Sequence, residues 1–379
     1  MKIETISVHA GRKADPATGA VIPPIHLSTT FERGKNGDYP KGYNYSRSNN
    51  PNREALEECL AELENGKSAA AFSSGSAAAM SILQSLKPGE HIIAPEDIYH
   101  GTKHLIRVFE KWNVSSTFVD MTNIADIENA FQNNTRLIWI ETPSNPLLKI
   151  INIKKIADIA KKKNVTTVCD NTWATPVLQN PLELGADLIL HATTKYIGGH
   201  SDTLGGAVVS KEDSSTFLFV KEIQKSGGAV PSPFECWLVL RGLQTLPIRI
   251  REQSKSAMMI AQFLNNRNEV EAVHYPGLMQ HPGHELAKEQ LKLFGGMLSF
   301  QVKGNKDDAL KLAANVKLFT RATSLGGPES LIEHRASVEG PDTKTPQNLL
   351  RLSIGLEHPD DLIEDLKQAL ENLEGQYKP

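Results

Sequence analysis

Two short segments place a carboxylate and an amine just beyond two apolar runs. Asp170 follows the run that ends at Cys169, and Lys195 follows the run that ends at Leu190. A lysine amine can form a C=N bond with an aldehyde, and a carboxylate beside a pyridine nitrogen keeps that nitrogen protonated. The lysine must be neutral to attack, so we expect burial and nearby cations to lower its pKa. Asp170 and Lys195 could therefore hold an aldehyde-bearing pyridine ring from two sides.

The cofactor that matches these demands is pyridoxal 5'-phosphate, which also needs donors for its phosphate. Ser74-Gly75-Ser76 precedes an alanine-rich helix, and the free N–H groups of a helix N-terminus favour an anion. Each feature alone has an ordinary alternative, because most lysines are solvated and Asp or Ser often caps a helix or a turn. No Gly-x-Gly-x-x-Gly motif follows the early strands, so a dinucleotide is not favoured.

Strand-like and helix-like segments alternate between residues 52 and 210. This alternation is typical of an α/β fold, with a mostly parallel sheet and helices on both faces. Ligands bind such sheets at the carboxyl ends of the strands, and Glu141, Asp170 and Lys195 all fall at or just beyond a strand end. The predicted helices are 52–64, one after Ser76, 102–111, 124–131 and 153–162, and the predicted strands are 91–94, 116–119, 137–140, 165–169, 186–190 and 206–209.

The chain has 379 residues, which is more than one ordinary core, so we expect two domains. A long helix over 234–264 is predicted to lead out of the first domain. Strands 297–302 and 350–354 with helices 307–315 and 359–373 indicate an α+β domain beyond it. We therefore divide the chain into an N-terminal arm (1–50), an α/β cofactor domain (51–240) and a C-terminal α+β domain (241–379).

Composition narrows the possible partners. The 41 basic and 44 acidic residues give a net charge of -3, which argues against nucleic acid. No apolar run approaches the roughly 20 residues that span a bilayer, and Met1-Lys2-Ile3-Glu4-Thr5 lacks the apolar core of a signal peptide, so we expect no membrane contact and a cytoplasmic location. The three cysteines are widely separated, and the histidines lack metal-ligand spacing, so no metal is expected.

Further motifs follow one another in a fixed order along nearly the whole chain. They are Tyr43-Asn44-Tyr45-Ser46-Arg47, Ser74-Gly75, Asp97-Ile98-Tyr99, Glu141-Thr142-Pro143-Ser144-Asn145-Pro146, Asp170-Asn171-Thr172, Thr194-Lys195-Tyr196, Ser324-Leu325-Gly326-Gly327, Glu329-Ser330-Leu331 and Arg351-Leu352-Ser353-Ile354-Gly355-Leu356-Glu357. Together they resemble the Cys/Met-metabolism (transsulfuration) family of pyridoxal-phosphate enzymes. The resemblance implies an aspartate-aminotransferase-like fold (fold type I), whose large domain contains a mostly parallel seven-stranded sheet.

The resemblance also implies roles for individual residues. Lys195 would carry the C=N bond and move protons, Tyr99 would stack on the ring and act as a base, and Arg351 with Ser324 would bind the substrate α-carboxylate. Tyr45 and Arg47 would reach the phosphate of a neighbouring subunit, which implies shared active sites in a dimer or homotetramer. The remaining implied contacts are Asp170 with the ring nitrogen, Asn145 with the ring hydroxyl, Gly75, Ser76, Thr172 and Thr194 with the cofactor, and Asn145 and Tyr45 with the substrate.

Several positions depart from the family pattern. Ala192 stands where the family usually has a serine that donates to the phosphate, and Thr323 and His100 alter positions near the distal part of the substrate. Gly101 stands where methionine γ-lyases have cysteine, which argues against that activity. Retention of the cofactor and choice of substrate are therefore open.

The expected activity is γ-replacement or γ-elimination on homoserine-derived amino acids, as in cystathionine γ-synthases and γ-lyases. The segment Ser324-Leu325-Gly326-Gly327 favours these activities over β-elimination, since the corresponding segment of β-lyases often carries tryptophan. Cystathionine β-lyase and homoserine sulfhydrylase activities remain alternatives within the family. Outside it, the alternatives are a nucleotide-dependent dehydrogenase and a non-catalytic binding protein on the same fold.

Overall fold

The computed structural model describes residues 1–339 and 343–374. Its strands are β1 (Ser68–Phe72), β2 (His91–Pro95), β3 (Ser115–Val119), β4 (Thr135–Glu141), β5 (Thr166–Asp170), β6 (Leu188–His191), β7 (Gly206–Ser210), β8 (Val270–His274), β9 (Met297–Val302), β10 (Thr320–Arg321), β11 (Leu331–His334) and β12 (Leu349–Ser353). Its α-helices are α1 (Ile3–His9), α2 (Pro51–Leu63), α3 (Gly75–Leu83), α4 (His100–Phe109), α5 (Ile124–Ala130), α6 (Ile153–Lys162), α7 (Thr175–Leu178), α8 (Ser215–Gly227), α9 (Pro233–Leu243), α10 (Leu246–Asn265), α11 (His284–Gln290), α12 (Lys306–Asn315), α13 (Ala336–Glu339) and α14 (Pro359–Glu374).

The first sheet has the strand order β1-β7-β6-β5-β4-β2-β3. Strands β2 to β6 pair in parallel, whereas β7 is antiparallel to both β1 and β6. Successive residues of β4 enter different cores, with Leu137 and Trp139 on one face and Ile138 and Ile140 on the other. A strand buried on both faces requires a covering layer on each side, so the predicted mostly parallel α/β sheet is confirmed.

A second sheet has the order β10-β11-β12-β9-β8 and is antiparallel except between β10 and β11. Its core joins Phe300 of β9 and Leu352 of β12 to apolar residues of α10, α12 and α14, including Leu264, Leu312 and Leu366. This is the α+β arrangement expected of the C-terminal part. The predicted limits of the three chain segments stay predictions.

The long helix predicted over 234–264 is wrong, because the structure has two helices there. α9 ends at Leu243, and α10 begins at Leu246 with Pro247 in its first turn. Proline has no N–H and its ring collides with the preceding turn, so it starts a new helix readily but interrupts a continuous one. The second helix, α10, then contributes to two cores, with Ile250 in one and Ile260 in the other.

Sequence reasoning also missed β1, whose residues are Ser-Ala-Ala-Ala-Phe. Alanine has low β propensity, so the sequence carries no strand signal there. Pairing with β7 from Ser68↔Ser210 to Phe72↔Gly206 makes this segment a strand, and its last residue leads directly to α3. Tertiary pairing therefore decides the element that delivers the helix N-terminus to the site.

The N-terminal part of the chain has little regular structure after α1. An isolated bridge pairs Thr30 with Tyr45, and Val21, Ile22 and Leu27 expose apolar side chains. Within the described residues, no helix has the length and apolar content needed to cross a membrane.

Candidate active site

A cavity of about 330 Å³ lies where β4, β5 and β6 end and the N-terminus of α3 approaches them. Residues between β10 and β12 line its other side. Sequence positions that are far apart therefore meet in one place, as expected at the carboxyl ends of parallel strands. The predicted site residues that line the cavity are Gly75, Ser76, Tyr99, Asn145, Asp170, Thr172, Thr194, Lys195, Ser324 and Arg351.

Lys195 has the electrostatic environment that a nucleophilic amine needs. Burial lowers its pKa to about 8, the cations Arg351 and Arg335 act in the same direction, and Glu333 opposes them. Its Nζ lies 2.7 Å from Ser324 Oγ. About one tenth of this amine is therefore neutral at pH 7, far more than for an ordinary lysine, and the neutral form is the one that attacks a carbonyl.

The backbone around Ser324 is specialised for this contact. Ser324 has a φ of +94°, a region that side-chain-bearing residues rarely occupy. Gly326 (φ +84°) lies so close to Tyr196 that a Cβ would be 2.6 Å from the Tyr196 backbone nitrogen. Only glycine permits this approach, which holds the Ser324 loop against the segment that carries Lys195.

Asp170 and Glu141 are neighbouring carboxylates at the ends of β5 and β4, where they are register partners; Glu141 is buried and Asp170 is partly exposed. Burial raises the pKa of Asp170. Hydrogen bonds from Thr172 act to lower this pKa, and so does the electrostatic effect of the nearby His191. The Thr172 N–H donates to Asp170 Oδ1 at 3.0 Å. Burial, followed by the charges of Asp170 and Asp97, holds the pKa of Glu141 well above its ordinary value. Glu141 therefore keeps its proton more readily than Asp170 does.

Arg351 lies on β12, directly opposite Glu333 of β11. Its Nη2 is 2.5 Å from Glu333 Oε2 and donates to the Ser324 carbonyl at 3.1 Å, and its Nη1 donates to Asn145 Oδ1 at 3.1 Å. Burial lowers the pKa of Arg351 to about 10, so the group stays cationic at neutral pH. These contacts fix the guanidinium at the cavity wall.

The N-terminus of α3 presents free backbone donors. Ser74 Oγ accepts from the Ala77 N–H at 3.0 Å, and the Ser74 carbonyl accepts from Ala78. The N–H groups of Gly75 and Ser76 have no acceptor within the described residues. A Cβ on Gly75 would lie 2.8 Å from the Ala192 Cβ, so glycine is needed for the helix to start here. Such an end binds an anion such as a phosphate.

Three residues near this helix end differ in what they offer a phosphate. The Thr194 hydroxyl donates to the Gly205 carbonyl at 3.2 Å, so it must change partner before it can donate to a ligand. Ala192 lines the cavity with an apolar side chain. Thr193 is 1% exposed and lies outside the cavity lining, so it does not replace the hydroxyl that Ala192 lacks.

Tyr99 is 43% exposed at the N-terminal end of α4, and its N–H donates to Glu141 Oε2 at 2.9 Å. Its ring meets the His100 ring edge-on, with 5.5 Å between centroids. Tyr45 and Arg47 lie outside the cavity of their own chain. Tyr45 is 47% exposed, and the Arg47 guanidinium lies 5.8 Å from the centre of the Tyr45 ring.

Sequence reasoning missed Arg335, which is buried and lines the cavity just after β11. It also missed the fully buried pair of Glu64 Oε1 and His191 Nε2, 2.5 Å apart. One signal was available, since Glu333 and Arg335 interrupt an otherwise apolar strand-like run. The Glu64–His191 pair joins residues 127 positions apart, and no local pattern indicates it.

These groups fit pyridoxal phosphate. A protonated pyridine nitrogen beside Asp170 would provide the cation that a buried carboxylate needs. The free N–H groups of Gly75 and Ser76 suit the phosphate, and Lys195 suits the aldehyde. Fold and site together define a pyridoxal-phosphate enzyme on an α/β sheet.

Comparison with known proteins agrees. Residues 4–371 match the family described as Cys/Met metabolism PLP-dependent enzyme, where PLP is pyridoxal phosphate, and this chain belongs to that family. It is 48% identical over 375 residues to cystathionine gamma-synthase from Mycobacterium leprae (97% of this chain, 96% of the relative). It is 47% identical over 379 residues to cystathionine gamma-lyase from Dictyostelium discoideum (98% of each chain). The crystal structure of metB from Corynebacterium glutamicum matches with a TM-score of 0.96 at 44% identity, covering 98% of both chains.

The protein is therefore a pyridoxal-phosphate-dependent enzyme of sulfur amino-acid metabolism. The resemblance inferred from motifs, the fold class and the cofactor are confirmed. Membership of this family excludes the two alternatives from outside it, a nucleotide-dependent dehydrogenase and a non-catalytic binding protein.

Proposed function

We propose that this enzyme catalyses γ-replacement or γ-elimination on homoserine-derived amino acids, as a cystathionine γ-synthase or γ-lyase. The observation that carries the proposal is the placement of Lys195, an amine with a pKa of about 8, beside Ser324 in a cavity that also contains Arg351. Relatives named for these two activities support it.

Substrate binding is assigned to Arg351 and Ser324. The Arg351 guanidinium suits an α-carboxylate because its planar fork can donate two parallel hydrogen bonds. Asn145 accepts from Arg351 Nη1 at 3.1 Å and so orients it, and Tyr45 of a neighbouring subunit would complete this side. The contact with Glu333 keeps Arg351 charged and in place before substrate arrives.

Cofactor binding is assigned to Asp170, Asn145, Tyr99, Thr172, Thr194 and the helix end at Gly75 and Ser76. When bound, pyridoxal phosphate draws electrons from the substrate Cα and so acidifies its proton. Asp170 keeps the ring nitrogen protonated. Thr172 positions Asp170 through its N–H and accepts from the Ala192 N–H at 2.9 Å, which ties the Asp170 strand to the next one.

Proton transfer is assigned to Lys195, assisted by Tyr99. A pKa near 8 lets the Lys195 amine accept a proton from substrate carbon and return it to another carbon or to the leaving group. Ser324 Oγ, 2.7 Å away, directs the amine toward the cavity. Tyr99 is well placed to contact both ring and substrate because it lines the cavity and remains partly exposed.

The arm over residues 1–50 is proposed to contact a neighbouring subunit in a homotetramer in the cytoplasm. Its exposed Val21, Ile22 and Leu27 suit burial at an interface. Arg47 and Tyr45 lie near each other on this segment and outside the cavity of their own chain, and the Arg47 guanidinium would exchange its hydrogen bond to the Lys225 carbonyl for the phosphate of the adjacent subunit. Sedimentation analysis of wild type and a 1–50 deletion tests the assembly.

The function is tested on purified holoenzyme. L-cystathionine is supplied alone, and O-succinyl- or O-acetyl-L-homoserine is supplied with L-cysteine. Formation of cystathionine identifies replacement, and formation of cysteine, ammonia and a four-carbon oxo acid from cystathionine identifies γ-elimination. Lys195→Ala is the control and should lose both the visible absorbance and turnover. Absence of turnover with every γ-substituted substrate would overturn the proposal.

β-Elimination is the second candidate, because other relatives of this chain are named cystathionine beta-lyase. The products decide between them. β-Elimination of cystathionine yields homocysteine and pyruvate, whereas γ-elimination yields cysteine and the four-carbon oxo acid.

A further inference from the structure

A second arginine lines the same cavity as Lys195 and Arg351. Arg335 follows β11 directly and is 4% exposed, so its cation is held away from bulk water. A buried guanidinium is costly unless partners are provided, and its presence at a cavity wall needs an explanation. Nothing in the roles assigned so far uses it.

The orientation of Arg335 is fixed by Glu339 at the end of α13. Arg335 Nε donates to Glu339 Oε1 at 2.8 Å. The other oxygen of Glu339 accepts from the hydroxyls of Thr343 and Thr345, each at 2.6 Å. Two donors besides the arginine hold this carboxylate in place, so the guanidinium that it binds is preorganised.

The far edge of the guanidinium is left for a ligand. Arg335 Nη1 is 3.4 Å from Glu333 Oε2, whereas Arg351 Nη2 is 2.5 Å from that same oxygen, so Glu333 serves mainly Arg351. Arg335 Nη2 has no acceptor in the part of the chain that the structure describes, and it is not sealed from solvent. An Nη1–Nη2 edge matches the two oxygens of a carboxylate.

The charge of Arg335 acts on two ionisable groups that line the same cavity, Lys195 and Glu141. It contributes to the lowered pKa of Lys195 and acts to lower the pKa of Glu141, although burial dominates both shifts. Thr323 and Val338, which line the same cavity, bring no competing charge. Arg351 and Arg335 contact the same Glu333 oxygen and therefore lie side by side, so a substrate reaches both with its two carboxylates when its γ-substituent folds back toward the α-carboxylate.

We propose that Arg335 is the subsite for a second carboxylate on the γ-substituent of the substrate. The substrate class is then an L-amino acid with a distal carboxylate, either a dicarboxylic acid monoester of homoserine or a thioether whose far end is itself an amino acid. This assignment rests on the proposed function, because it presupposes a γ-substituted substrate bound through Arg351. It selects against γ-substituents that end in a neutral group.

The test compares kcat/KM for O-succinyl-L-homoserine, which has a distal carboxylate, with that for O-acetyl-L-homoserine, which has none. Wild type is expected to prefer the succinyl ester. Arg335→Met should reduce kcat/KM for the succinyl ester by roughly 10- to 150-fold, the range for loss of a charged hydrogen bond, and change the acetyl value by less than about threefold. Arg335→Lys should recover part of the loss, since it keeps the charge but not the fork.

Arg136→Met is the matched control, because it removes an exposed arginine at the opposite end of β4 from the cavity. It should leave the ratio of the two kcat/KM values unchanged. An equal loss for both esters in Arg335→Met would mean that Arg335 only supports the fold, and no loss for either would mean that it does not touch substrate. Either result overturns the subsite.

Calorimetric binding of both esters to cofactor-loaded Lys195→Ala separates this inference from the proposed function. The subsite is supported if Lys195→Ala binds the succinyl ester more tightly than the acetyl ester and the double variant Lys195→Ala/Arg335→Met binds both equally. This holds even if wild type turns over neither ester. Equal affinity for both esters overturns the subsite even if wild type turns over both.

Discussion

The pH dependence of cofactor attachment tests the electrostatics around Lys195. Its pKa is about 8 instead of the ordinary 10.5, mainly because the amine is buried. At about pH 8 roughly half of the amine is neutral, against roughly 0.3% for an unperturbed lysine. Only the neutral amine attacks the aldehyde, so the environment of Lys195 should accelerate attachment by roughly 150-fold at this pH.

The assay is the stopped-flow appearance of visible absorbance when apoprotein is mixed with pyridoxal phosphate. Between about pH 7 and about pH 8 the rate should rise roughly fivefold, and it should level off above about pH 9. Pyridoxamine phosphate is the control ligand, because it has an amine in place of the aldehyde and cannot attach covalently. Its binding should lack this rise.

Arg351→Met shifts the midpoint in a direction set by the structure. Arg351 is the cation that lowers the pKa of Lys195 most, and its removal leaves Glu333 with only its longer contact to Arg335. Both changes favour protonated Lys195, so the midpoint should move upward. A rate that keeps rising beyond about pH 9.5 in wild type, or an unchanged midpoint in Arg351→Met, would refute this reasoning.

Three further outcomes are expected. Ala192→Ser places a hydroxyl beside Gly75 at the helix N-terminus and should tighten cofactor binding by roughly 10-fold or more, measured by equilibrium dialysis; equal affinities would contradict it. Glu64→Gln removes the charge from a fully buried pair with His191 and should lower the free energy of unfolding by about 3 kcal/mol in urea titrations, whereas an unchanged midpoint would show that the pair is not ionic. Asp170→Asn should keep the bound cofactor but lower kcat by roughly 10- to 150-fold, and an undiminished kcat would remove Asp170 from its proposed role.

Much of the α/β part was predictable because its signals are local. The alternation of apolar strands with amphipathic helices predicted β2 to β7 within two residues at each end, and helix α6 was predicted at its observed bounds. The motifs were equally informative. Asp170 ends β5 and Lys195 lies shortly beyond β6, and the connectivity of parallel strands brings such ends to one edge of the sheet.

In the second half β9, β12, α12 and α14 were predicted within one residue of their observed bounds, and the other elements were missed for definite reasons. Antiparallel strands such as β8 and β11 are short, and their sequences contain charged residues that conceal the period. The division between α9 and α10 depends on one proline within a long helical pattern. Local propensity is a weak guide where tertiary packing sets the limits of an element.

The sequence by itself determined which residues could do chemistry, since Lys195, Asp170 and Arg351 are recognisable from type, position and motif. Only the tertiary structure decided how strongly each is tuned. Burial and the field of Arg351 lower the pKa of Lys195, and the register of β11 with β12 gives Glu333 to Arg351 while leaving an edge of Arg335 free. Charge interactions depend on distance and desolvation, and neither can be read from the order of residues along the chain.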